Sequence, residues 1–163
     1  MPILTTVAVM CLDADIIVTA TGLQLVTLGE MEVVVDGEVV DFASTWTYRG
    51  VGYSGVPNLV STFGYVHASW TLRSDMVAKF VCRLLNHLDE SGYTVCVPTL
   101  RESDVSMEPR PWIDDFSSGY IRRMLPLLPK QGDRDPWMNH QNYLRDRKSL
   151  IRSRIDDGVM RFR

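Results

Sequence analysis

The sequence predicts an α/β protein, and three observations carry that prediction. A β-branched run at residues 16–20 stops at Thr21-Gly22, and a compact apolar run at 58–63 is broken by Gly64-Tyr65. A long amphipathic stretch, residues 68–89, begins within five residues of the second break. Short apolar strands that end at glycine-bearing turns and feed helices are the units of a parallel sheet covered by helices.

The elements follow in order. Residues 16–20 read as a fully buried parallel strand, and a turn at its carboxyl end is where open α/β sheets place ligands. Residues 31–35 and 38–42 flank Asp36-Gly37, a dipeptide suited to the positive φ angles of a type I′ turn, and predict a hairpin. Residues 45–55 mix aromatics with glycines and read as irregular or edge strand. The run at 58–63 follows Pro57, which suits a strand starting there.

From 68 to 89, Trp70, Leu72, Met76, Val77, Phe80, Val81, Leu84, Leu85 and Leu88 recur at helical spacing, and Ser91-Gly92 closes the run. Residues 93–97 read as a short strand and the proline-bearing 98–111 as a connector. Residues 117–128 and 139–151 read as short helices, and the charged tail from Arg152 as loosely held.

Composition narrows the function classes. An apolar fraction of 45% in 163 residues is enough for a core, and a formal charge of −3 offers no face for neutralising a phosphate backbone, so nucleic acid is not an expected partner. Cys11, Cys82 and Cys96 fit neither a disulfide framework nor a CxxC pattern, and read as reduced thiols of a cytoplasmic protein. The apolar stretch 3–12 falls short of the ~20 residues of a spanning helix. It also lacks the basic flank and cleavage site of a secretory signal.

Several constellations dissolve on inspection. Gly50-Val51-Gly52-Tyr53-Ser54-Gly55 satisfies GxGxxG, and Asp75 lies where a ribose-binding acid would be expected, but Val56-Pro57-Asn58 leads away from a helix, and a dinucleotide fingerprint must open one. Ser54 lacks the final glycine of a nucleophile elbow. His67, His87 and His140 are isolated from one another and from the cysteines, so no metal site is expected. Asp114-Asp115 and Asp156-Asp157 read as solvated surface charge.

The segment 60–71 is more informative. A strand ending in glycine just before a long helix leaves backbone N–H groups unpaired at the helix start, together carrying roughly half a positive charge. An electron-rich ligand would suit that position, and so would a capping side chain such as Ser69; spacing alone weighs the two equally.

Beyond periodicity, Asp13-Ala14-Asp15-Ile16-Ile17-Val18-Thr19-Ala20-Thr21-Gly22 resembles the ATG-motif strand of flavoprotein monooxygenases. Gly55-Val56-Pro57-Asn58-Leu59, the run from Gly64 to Asp75, and Phe80-Val81-Cys82-Arg83-Leu84-Leu85-Asn86 are similar to the closing strand and helix of the FAD domain in Baeyer–Villiger monooxygenases, especially the ethionamide-activating subgroup. Leu128-Pro129-Lys130-Gln131-Gly132, Asp135-Pro136-Trp137 and Gln141-Asn142-Tyr143-Leu144-Arg145-Asp146 extend the likeness, which covers about residues 13–162.

This resemblance implies an incomplete FAD/NAD(P)-binding, Rossmann-like, two-dinucleotide fold with a C-terminal helical segment. Residues 1–12 would be an atypical N-terminal segment, 13–97 the C-terminal portion of the FAD-binding domain, and 98–163 a C-terminal extension with two short helices. It further implies that NADPH reduces FAD, that O2 forms a flavin C4a-peroxide, and that one oxygen passes to a ketone or sulfur-containing small molecule. Thr21 and Gly22 would sit at the crossing between nucleotide domains, and Gly64, Tyr65, His67, Ala68 and Ser69 would meet the flavin. Lys130, Arg134 and Trp137 are weaker candidates for NADPH contact, with a solvated loop the preferred reading.

His67 departs from the asparagine usual in the family. No FAD or NADPH fingerprint and no FxGxxxHxxxW-type signature occurs in the chain. The chain is therefore expected to be catalytically inactive alone, to supply no catalytic residue, and to need a missing N-terminal part or an oligomer partner. Open edges on the strands at 16–20 and 58–63 would leave it marginally stable. The alternative from another class is a non-catalytic fragment, or a protein-interaction module derived from such an enzyme.

Overall fold

The computed structural model describes residues 14–20, 22, 26–114 and 119–163. It is a mixture of helix and strand built around one long helix. Eight short strands form four two-stranded antiparallel ladders among the described residues: β1 (Val34–Val35) with β2 (Glu38–Val39), β3 (Thr47–Tyr48) with β4 (Gly52–Tyr53), β5 (Cys96–Pro98) with β8 (Met160–Phe162), and β6 (Arg110–Pro111) with β7 (Lys130–Gln131). The helices are α1 (Trp70–Ser91), α2 (Gly119–Met124) and α3 (Tyr143–Asp146), the last running on as a wider π-type coil over Arg147–Arg152.

Helix α1 forms for the reason its sequence gives. Arg73, Met76, Val77, Phe80 and Leu84 fall on one face and are buried, and each large apolar side chain withdrawn from water contributes roughly 1.5–3 kcal/mol. Its end is a Schellman turn: Gly92 sits at φ 70°, its N–H donates to Asp89 O, and the Tyr93 N–H donates to Leu88 O at 2.9 Å. A methyl group on Gly92 would meet nothing within 4 Å, so Gly92→Ala tests the backbone alone. Chemical denaturation is expected to show a loss of about 1 kcal/mol, from forcing a side-chain-bearing residue into the left-handed region.

The hairpin around Asp36-Gly37 is present with both turn residues at positive φ, 53° and 88°, though each strand is only two residues long. The glycines of the 50–55 motif lie in a second hairpin and open no helix. Arg49 and Gly50 make its turn at φ 54° and 68°, and the Val51 N–H donates back to Tyr48 O at 2.9 Å. Gly50 is required there twice over, because a Cβ would also lie 2.4 Å from Arg73 Nη2.

Two expected parallel strands are not strands. Residues 16–20 lie in no ladder, with Ile16, Ile17 and Val18 between 82% and 84% exposed. A β-branched run becomes a buried strand only against neighbouring strands, and none adjoins it among the described residues. Residues 58–63 are likewise irregular. Asn58 enters the left-handed region at φ 54°, and its side chain and backbone pair with Cys96, while the Ser61 N–H donates to Val51 O.

The C-terminal tail corrects the reading in the opposite direction. Instead of trailing loosely, Met160–Phe162 pairs with Cys96–Pro98 in the register Cys96↔Phe162, Val97↔Arg161 and Pro98↔Met160, and Val159 is fully buried. Asp157, read as solvated, holds this return: its carboxylate accepts from the N–H groups of Val159 and Met160 and from the Tyr48 hydroxyl, and pairs with Arg49 at 2.7 Å. The helix expected over 139–151 starts later, at Tyr143, because the Asn142 side chain accepts the Arg145 N–H as an N-cap. The helix expected over 117–128 is observed from Gly119 to Met124, followed by a 3₁₀ turn over Leu125–Leu127; residues 117 and 118 lie outside the described residues.

Candidate functional site

The loop between residue 63 and α1 is held from two sides. From the C-terminal segment, Gln141 Oε1 accepts the Val66 N–H at 3.0 Å, and Gln141 Nε2 donates to Gly64 O at 3.2 Å. From α1 itself, Arg73 Nη1 donates to Phe63 O at 2.8 Å. Arg73 is fully buried and paired with Asp146 at 3.3 Å, and its guanidinium lies 5.9 Å from the centre of the Tyr65 ring. The path of the loop is thus fixed by an ion pair, a carboxamide clamp and a buried aromatic ring.

Gly64 is buried, and a Cβ there would lie 2.3 Å from Trp70 Cγ and 2.7 Å from Trp70 Cα. Only glycine lets the chain pass so close to the first turn of α1. Burial raises the Tyr65 hydroxyl pKa above its ordinary value, and the neighbouring Asp146 carboxylate adds to the shift. Burial also raises Asp146, against the opposing pull of Arg73. Tyr65 is therefore a neutral phenol that shapes the loop.

The helix start is open. Ser69 is the N-cap residue, but its side chain caps no backbone N–H; its hydroxyl instead bonds the Thr71 hydroxyl at 2.7 Å. No acidic residue occupies the first turn. His67, Ala68 and Ser69 are exposed, and Trp70 is 53% exposed. An uncapped, solvent-facing helix terminus without an acid presents its partial positive charge to whatever lies in front of it.

Beside this terminus is a cavity of about 270 Å³, with Phe63, Trp70 and Trp112 among its walls. The Phe63 ring is 4.8 Å from both Trp70 and Trp112, centre to centre. Trp70, the first residue of α1, brings the helix start to the cavity wall, whereas Gly64, Tyr65, His67, Ala68 and Ser69 do not line it.

The structure brings Gly64, Tyr65, His67, Ala68 and Ser69 together at this terminus. Gly22 is exposed at φ 86° with no hydrogen bond to the loop among the described residues, and Thr21 lies outside the described residues, as does the N-terminal segment 1–12. Trp137 is wholly buried and cannot touch a ligand, Lys130 lies over the Trp46 ring at 6.0 Å, and Arg134 is paired with Asp133. Gln141, Arg73 and Asp146, which set the loop, were not singled out by residue type. The one available signal was a charged Arg73 on the buried face of an amphipathic helix.

Cys82 and Cys96 are free thiols. Among the described residues, no group of three or more His, Cys, Asp or Glu is arranged to hold a metal, and no helix is long and apolar enough to cross a membrane.

Comparison with known proteins places this geometry in context. The chain is 49% identical over 151 residues, 93% of its length, to the FAD-containing monooxygenase EthA of Mycobacterium tuberculosis. Over the same share it is 44% identical to the FAD-binding monooxygenase AlmA of Acinetobacter baylyi, and 41% identical to EthA of Mycolicibacterium smegmatis. It spans 30% of the length of each of these relatives. No family model matches the chain, and no solved structure matches it. Over nearly its whole length, this chain is homologous to the C-terminal part of the EthA-like FAD-containing monooxygenases.

Proposed function

We propose that this chain is the flavin-facing C-terminal part of an FAD- and NADPH-dependent monooxygenase of the Baeyer–Villiger type. The single observation that carries the reading is the open start of α1: a helix terminus with no side-chain cap and no acid, fronted by exposed His67, Ala68 and Ser69. The residues present fit a flavin ring. Unpaired amides suit the electron-rich pyrimidine edge, and the Phe63, Trp70 and Trp112 cavity suits a planar aromatic.

FAD bound there, reduced by NADPH, would supply the chemistry that passes one oxygen atom from O2 to a ketone or sulfur-containing substrate. The chain's own part is to hold and polarise. Gly64 and Tyr65 would set the loop against the ring, the N–H groups after Ser69 would favour negative charge on it, and Arg73 with Gln141 would keep that loop from shifting. Thr21 and Gly22 would lie at the crossing of the two nucleotide domains of a Rossmann-like fold. The remaining strands of that fold and both phosphate fingerprints would come from sequence outside this chain, in a cytoplasmic protein.

Mixing this chain with the remainder of M. tuberculosis EthA, lacking the aligned segment, should restore FAD retention through gel filtration, with quenched flavin emission. Ser69→Asp places a preferred capping carboxylate on the same amides. It should weaken FAD retention about tenfold while leaving the helix as stable or slightly more so. FAD retention that is indifferent to the presence of this chain would instead favour a non-catalytic fragment or interaction module.

A further inference from the structure

On the side of the molecule formed by Arg49, the 135–140 segment and the 145–157 segment lies an open cleft of about 820 Å³. Its size is in the range of small-molecule sites, roughly 300–1,000 Å³. It shares no lining residue with the loop and helix start at 63–70. Its character is cationic, in a chain whose formal net charge is −3.

Arg145, Lys148 and Arg152 line the cleft and are exposed. Arg145 comes from α3, and Lys148 and Arg152 from the π-type coil that continues it. None has a carboxylate partner among the described residues. Like charges gathered around one cleft repel one another. A bound anion would turn that repulsion into attraction.

The cleft's own carboxylates are already engaged. Asp157 is taken by Arg49, and Asp135 by His140 Nε2 at 2.8 Å. Arg101 on the rim is held by both oxygens of Asp104 at 2.9 Å, so its position is set before any ligand arrives. One buried donor from a lining residue has no hydrogen-bond partner in the protein: Nε of Arg49, which is 7% exposed. That orphaned donor on a lining side chain adds to the unneutralised cationic face as a second sign of a missing acceptor.

We propose that this cleft binds a diphosphate group, free or carried by a nucleotide. Three cations without carboxylate partners around one cleft favour a multiply charged diphosphate over a singly charged anion. Two arginine forks and an ammonium match phosphate oxygens in charge and in planar geometry.

The test titrates the 163-residue chain with inorganic pyrophosphate by calorimetry, against sulfate at matched ionic strength, with no flavin present. Its outcome is therefore separate from that of the flavin reading. Saturable binding is expected for pyrophosphate and for ADP, and none for adenosine. Tighter binding of ADP than of pyrophosphate would identify a nucleotide as the source, and equal binding the free anion.

Lys148→Gln and Arg152→Gln, both at exposed positions, should each weaken pyrophosphate binding about tenfold, the loss of one charge-assisted contact. Arg154→Gln, which removes an exposed charge that does not line the cleft, should leave it unchanged. Three results would overturn the proposal: no saturable pyrophosphate binding by folded chain, equal weakening by Arg154→Gln, or binding of an acidic polyglutamate peptide with none of pyrophosphate.

Discussion

Replacing Arg73 by alanine is expected to lower the stability of the chain by about 3–5 kcal/mol, read as a shift in the urea midpoint. The guanidinium is fully buried and faces Asp146, which is 1% exposed, at 3.3 Å. Removing it leaves an uncompensated carboxylate in a site whose burial already raises the Asp146 pKa. It also removes the hydrogen bond from Arg73 to Phe63 O. A raised folded-state pKa favours the folded chain at pH below the ordinary carboxylate range and disfavours it as pH rises. The defect in Arg73→Ala should therefore deepen from acid toward neutral pH.

Removing both charges should be milder. Arg73→Met with Asp146→Leu is expected to cost less than Arg73→Ala alone, because no buried charge is left unpaired. A double variant as unstable as the single would show that packing, and not the ion pair, sets the position of α1 against α3. The same substitutions reach the site, since the loop at 63–66 hangs on this pair. Flavin retention in the reconstituted complex should fall with Arg73→Ala even below the denaturation midpoint.

How much of this was legible in the sequence depends on whether a feature is local. Helix α1, its glycine stop and the Asp36-Gly37 turn rest on residues within one turn of each other, and they were readable to within a few positions. The strands at 16–20 and 58–63 were misread because strand formation depends on distant partners. The β-branched run at 16–20 and the apolar run at 58–63 state a preference that no neighbouring strand satisfies among the described residues.

The tail was misread because charge in sequence does not report burial. Arg152, Arg154, Asp156 and Asp157 look like a solvated terminus, yet Asp157 is the acceptor around which the β5–β8 ladder closes. Within the site, the glycine and the helix start could be named in advance. Gln141 and Asp146 could not, because they reach the loop from about 75 residues away in sequence.

Asp157 gives the second large effect. One oxygen accepts from the Val159 and Met160 N–H groups at 3.0 and 2.9 Å, and the other from the Tyr48 hydroxyl at 2.8 Å and from Arg49 at 2.7 Å. Asparagine can keep the first pair, but its amide nitrogen cannot accept the second. That leaves Arg49, 7% exposed, without its counter-charge. Asp157→Asn is expected to cost about 2–4 kcal/mol. Hydrogen exchange should show the loss first as faster exchange at Met160 and Arg163, whose N–H groups the tail's return holds.

The pH dependence gives an independent check on the same residue. Burial by itself would raise the Asp157 pKa, but the Met160 N–H, the Tyr48 hydroxyl and Arg49 outweigh it and hold the carboxyl below its ordinary value. Its contribution is therefore complete above about pH 4, the usual carboxylate range, and is lost as pH falls through the lower folded-state value. Asp104 behaves the same way: its bonds to Arg101 outweigh burial and lower its pKa to about 2. Wild type should accordingly lose stability between about pH 4 and pH 2. The gap between wild type and Asp157→Asn should narrow over that interval, while Asp104 continues to destabilise both. A gap that stays constant to pH 2 would mean that the Asp157 carboxylate is not what holds the C-terminal strand in place.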